Sequence, residues 1–191
     1  VAVTADNRPA PSSVRAPRIA LAALLLFGSA IAVALGVYAR EHTPAGRPIF
    51  TLGFSTMLPM KAWLTTVAAG LIVIQLLTAL LMFGRLGSTV PRWAAPLHRW
   101  SGATAFVVLL PVAFHCMWAL GFGTGSTRVY AHCIVGCAFY GAYAAKMLAL
   151  RLPGLPGWTL PLLGGAVLTS VVLLWLTAAL WFFTQSGIPL T

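Results

Sequence analysis

The chain has 191 residues, 60% of them hydrophobic and 7% charged, with a formal net charge of +10. Several apolar runs reach the roughly 20 residues that a helix needs to cross a bilayer, so the composition predicts an integral membrane protein set in a lipid bilayer. The basic residues flank those runs, where they set orientation and meet anionic headgroups, and the charge is not read as a nucleic-acid footprint. Asp6 and Glu41 are the only acidic residues, so nothing from His42 onward carries a carboxylate. That excludes carboxylate proton relays, paired-carboxylate hydrolysis and calcium or magnesium cages. Any chemistry must use His, Cys, Met, Lys, Tyr or a bound cofactor.

Residues 1–17 are polar, rich in Pro, Ser and Ala and without periodicity, which predicts a disordered tail. A single transmembrane domain over 18–191 follows. Its first helix, about 18–39, is longer than a usual signal core and is read as an uncleaved span. Residues 40–60 hold three prolines and two glycines and read as an interfacial loop. Further helices are expected over about 61–86, 97–122, 128–151 and 159–184, broken by Pro91 and Pro96 and by the Pro-Gly steps of the RLPGLPGW turn. The fold class is therefore all-α, five transmembrane helices in an up-down bundle. Arg8, Arg15, Arg18, Arg85, Arg92, Arg99, Lys146 and Arg151 fall on one side, against Arg40, Arg47, Lys61 and Arg128 on the other. The positive-inside rule then puts the N-terminus in the cytoplasm and the C-terminus outside.

The hairpin from Leu97 to Arg151 organises the chain. His115 and His132 lie equally far from the centre of its glycine-rich turn, Gly121–Thr127, so antiparallel helices bring them to one depth near the outer face. An imidazole in hydrocarbon requires a specific partner, and two at one depth on adjacent helices suit the axial ligation of one b-type haem. Gly136, one turn beyond His132, would leave room for the porphyrin edge, and Arg128 and Lys61 are candidate propionate partners. The bland alternative is a pair of structural histidines held by hydrogen bonds.

Soft ligands crowd the same level. Cys116 and Met117 follow His115, while Cys133 and Cys137 follow His132, an array that could hold copper or zinc, with His42, Met57 and Met60 leading metal inward. A disulfide from Cys116 to Cys133 or Cys137 is also open. His98 opens the third helix about 25 Å from His115 and cannot share its metal. Lys146 stands at the stride from His132 where a second ligand would be expected, so His98 and Lys146 mark a vacant or altered second site.

At these residues a resemblance enters. An HRxxG step, a second histidine along the same helix and a third on the next resemble the four-helix membrane cytochromes b of the cytochrome b-561 and ferric-reductase transmembrane types. This implies a four-helix haem-binding core. Those families show four histidines in two pairs at about 14-residue spacing, whereas this chain has three intramembrane histidines and a spacing of 17. The GRL at 84–86, LHRWSG at 97–102, LPVAFHCMWALG at 110–121, RVYAHCIVGCAFYGAYAAK at 128–146 and LPGW at 155–158 more closely resemble bacterial five-helix proteins known as domain of unknown function 6529. Together these predict an electron-transfer subunit with one haem b on His115 and His132. It would exchange single electrons with a quinol or with a membrane or extracytoplasmic redox protein, without hydrolytic or nucleotide-dependent catalysis. The alternatives are a copper- or zinc-handling protein and a cofactor-free assembly subunit.

Overall fold

The computed structural model describes residues 12–87 and 89–188, with side chains from Pro17 onward. Five long helices appear: α1 (Ser12–Glu41), α2 (Met57–Met82), α3 (Ala94–His115), α4 (Thr127–Ala149) and α5 (Thr159–Leu174). Helix α3 runs on as a π-helical segment, Cys116–Leu120, while α5 continues through a second one, Trp175–Leu180, into α6 (Trp181–Ser186). Among the described residues there is no strand. Four of these helical stretches are long and apolar enough to cross a membrane: Pro17–Glu41, Met57–Met82, Ala94–Leu120 and Thr159–Ser186. The protein is therefore a multi-pass helical membrane protein.

Helix α4 is the exception among the five expected spans. Its 23 residues reach about 34 Å at 1.5 Å per residue, but they include Arg128, His132 and Lys146. Its polar residues gain cover from α1 on one side and α5 on the other, the two helices against which it packs.

Helix ends depart from the expected ones for one repeated reason. Pro59, Pro96 and Pro161 each occupy the third residue of a helix, where proline costs no intrahelical bond. Proline read as a breaker thus belongs to the first turn, so α2 and α3 begin earlier than expected. The predicted loop 40–60 shrinks to 42–56, because α1 also runs on to Glu41. At the other end, α1 already covers 12–17, with Pro17 inside it, where a disordered tail was expected; residues 1–11 of that tail lie outside the described residues.

Packing passes from α1 to α4, α4 to α5, α5 to α2 and α2 to α3. The α1–α4 contact is backbone on backbone. A Cβ on Gly28 would meet the Gly141 carbonyl oxygen at 2.8 Å, and one on Gly141 would run into the Gly28 carbonyl and Ala32. Gly28 and Ala32 face Gly141 and Ala145, a small-residue pattern on both helices that lets axes approach without a polar driving force. Helices α3 and α4, although joined by a short turn, approach each other much less closely. Aromatic rings span their gap midway: Phe106 stacks on Tyr143 at 4.2 Å, and the Tyr140 hydroxyl donates to the Leu109 carbonyl at 3.1 Å. The central core is Ala68, Ile72, Leu109, Phe139, Val167, Val171 and Leu174.

Candidate functional site

At the turn end of the bundle the gap between α3 and α4 opens into two adjoining chambers. The inner, of about 80 Å³, is almost wholly apolar and is lined by Leu109, Val112, Met117, Gly136, Phe139 and Leu174 together with Cys116, His132, Cys133 and Cys137. The outer, of about 210 Å³, adds Lys61, Arg128 and Trp181. Cys116, Gly121, His132 and Cys133 border both. Of the residues singled out in the sequence, Lys61, Cys116, Arg128, His132, Cys133, Gly136 and Cys137 therefore do converge. His115 lines neither chamber.

Each histidine is held by its Nδ1. The ring of His115 is fully buried, and its Nδ1 lies 2.8 Å from the carbonyl oxygen of Pro111. A carbonyl only accepts, so Nδ1 carries the proton and Nε2 keeps a lone pair. That Nε2 is buried with no hydrogen-bond partner among the described residues. Phe50, from the loop before α2, meets the ring edge-on at 4.7 Å, and Phe114 flanks it at 5.4 Å.

His132 repeats the pattern across helices. Its Nδ1 lies 3.0 Å from Thr177 Oγ1, whose own proton is committed to the Leu173 carbonyl at 2.7 Å. The hydroxyl can then only accept, so His132 too is protonated at Nδ1 with Nε2 bare. Thr177 belongs to the second π-helical segment, and its carbonyl also accepts from the Arg128 guanidinium, which stacks 3.7 Å above the Trp181 ring. Ser126 caps the start of α4, accepting from the Val129 N–H at 3.3 Å, and so fixes where Arg128 and His132 emerge. Both π-helical segments flank this end, a placement common at functional sites.

The thiol of Cys116 sits beside the Lys61 ammonium and the His132 ring. All three cysteines are free thiols. Among the described residues no three of His, Cys, Asp and Glu gather closely enough to hold a metal ion. Met57 and Met60 belong to α2, with Met60 buried, and His42 is sandwiched between Tyr38 and Trp118 at 5.2 and 4.7 Å.

His98 stands at the opposite end of α3 among filled hydrogen bonds. Its Nδ1 donates to Thr78 Oγ1 at 2.9 Å, whose proton goes to the Ile74 carbonyl at 2.7 Å. Gln75 donates to the His98 carbonyl and to Ser101 Oγ at 2.7 Å, with Gly102 giving its amide room. Lys146 lies near enough to His98 to act on it electrostatically.

The donor chemistry suits a haem in three respects. His132, protonated at Nδ1, brings an Nε2 lone pair to the cavity wall beside Cys116, His115 holds a buried Nε2 without a partner among the described residues, and Lys61 and Arg128 border the outer chamber, whose described lining carries no carboxylate. The arrangement departs from the expectation in one: Cys116, not His115, faces His132, because the residues of α3 that line the inner chamber are Leu109, Val112, Ala113, Cys116 and Met117. Sequence reading missed Thr177, Phe50 and the Pro111 carbonyl. The one hydroxyl in the apolar stretch 171–183, near the level of His132, was the available signal for the first.

Residues 20–190 match the model of a family of unknown function, DUF6529. The chain belongs to that family. No curated protein and no solved structure matches it.

Proposed function

We propose that this DUF6529 protein is a membrane electron-transfer subunit that holds one haem b at the turn end of α3 and α4. The observation that carries this reading is the pair of imidazoles locked in the same tautomer, one of them with its Nε2 buried and unpartnered. An orphaned buried nitrogen is costly unless a ligand satisfies it, and Nδ1–H anchoring is how ligating histidines are oriented. His132 is the ligand presented to the chambers and His115 is its partner. Ligation by both requires the His115 segment to turn toward α4, and the irregular helix between Pro111 and Leu120 is where that turn is accommodated. Lys61 and Arg128 receive the propionates, and Gly136 leaves the wall of the inner chamber without a side chain. Haem supplies a one-electron couple; the protein orients the imidazoles and excludes water. By the distribution of basic residues, the site faces the outside of a bacterial plasma membrane. There a quinol or an extracytoplasmic redox protein exchanges electrons with it.

The test is a dithionite-reduced minus air-oxidised absorption spectrum of the detergent-purified chain, expressed with ample haem. A b-type α band at about one haem per chain, lost in His132→Ala and in His115→Ala but kept in His98→Ala, is expected. Absence of any band in the wild-type protein overturns the reading and leaves a scaffold.

A further inference from the structure

The geometry points to Cys116 and Cys133 as a redox-active dithiol that closes into a disulfide across the α3–α4 gap by exchange with an incoming disulfide. The argument rests on where the thiols stand and not on the haem reading. The chain has three cysteines, all free, and all border the inner chamber. Cys116 and Cys133 alone among them also border the outer chamber, so these two share the junction from opposite helices. Cys137 is turned toward α1: a Cβ placed on Gly36 would lie 3.7 Å from its sulfur. That leaves one pair in position. The outer chamber reaches the bundle end at Gly121 and Gly123, which gives a disulfide reagent its approach.

The surroundings of Cys116 supply what exchange needs. The thiolate is the attacking species, and the Lys61 ammonium, a cation to offset its charge, lines the same outer chamber as the Cys116 sulfur. With no carboxylate after Glu41, Lys61 has no acidic residue nearby in sequence to compete for it. In the first step the Cys116 sulfur attacks one sulfur of R–S–S–R, forming a mixed disulfide and releasing R–S⁻. In the second the Cys133 sulfur attacks that of Cys116, forming the internal bond and releasing a second R–S⁻. The two thiol protons leave with the released groups as two R–SH. The protein loses two electrons and the incoming disulfide gains them. The bond ties together two helices that otherwise pack little against each other, one residue from each of the paired histidines.

The test uses oxidised glutathione on the full-length chain in detergent, followed by maleimide counting of the remaining thiols under denaturing conditions and peptide mapping. Loss of two of the three thiols without a dimer, with a peptide linking Cys116 to Cys133, is expected, and Cys137→Ser should behave alike. Cys116→Ser should keep both of its remaining thiols, whereas Cys133→Ser should lose one, trapped on Cys116 as the mixed disulfide with glutathione. Retention of all three thiols in the wild-type chain, or a link from Cys133 to Cys137, overturns the proposal. The haem spectrum of the same sample separates the two readings: a link without a haem band sinks only the cytochrome, and a haem band without a link sinks only the dithiol.

Discussion

The two ends of α3 carry the same device to different ends. At both, a histidine is fixed through Nδ1 by an oxygen that can only accept: Thr78 Oγ1 for His98, the Pro111 carbonyl for His115. Around His98 the remaining polar groups are tied to one another through Gln75 and Ser101, and α2 is pinned to α3. Around His115 and its counterpart His132 the backbone loosens into π-helical turns, two chambers open, and the His115 Nε2 is left buried without a partner among the described residues. The lesson is that a locked tautomer says little by itself. What separates a pin from a site is whether the second ring nitrogen is given somewhere to act.

Matched substitutions at the two ends can break that contrast. The largest effect is expected for Thr177→Val, which removes the anchor of His132. Cofactor retention should fall about 10–100-fold, read as haem lost on dilution or gel filtration, with little change in thermal unfolding. Gln75→Leu should do the reverse. It strips partners from Ser101 and the His98 carbonyl and should cost about 1–3 kcal/mol of stability, measured by unfolding in mixed micelles, while haem content holds. Thr78→Val, the counterpart of Thr177→Val, should cost about 1 kcal/mol and leave the spectrum unchanged. If it instead removed haem, the distinction between the two ends would be lost. Smallest of all is Lys146→Met, expected to shift stability by no more than about 0.5 kcal/mol; a marked change in the visible spectrum would mean that the inner end binds a cofactor after all.

Much of this was legible in the chain itself. Apolar runs gave the five helices, and the equal spacing of His115 and His132 about the turn drew attention to the end where the two chambers open. The convergence of Lys61, Arg128, His132 and Gly136 could be inferred from depth along ideal helices. What could not be read was azimuth. The side of α3 that faces α4 depends on how the helix behaves at Pro111 and through Cys116–Leu120, and a π-helical turn rotates everything beyond it without an obvious mark in the sequence. For the same reason Thr177 stayed hidden, since its reach to His132 depends on the irregular turn at Trp175–Leu180. The starts of α2 and α3 were displaced because Pro59 and Pro96, read as breakers, are first-turn residues. Gln75 and Thr78, polar positions three apart in the otherwise apolar second half of α2, were visible signs of a helix–helix pin that the histidine pattern overshadowed.

The close approach of Gly28 to Gly141 reaches further than packing. Helix α1 meets α4 through bare backbone, and α4 carries His132, Cys133 and Arg128, so the outlying helix sets where that side of the site stands. Across related chains, positions 28 and 141 should then stay small together while the lipid-facing residues of α1 drift freely. Their shared restriction would be a record, written far from any histidine, of how finely the site's placement has been held.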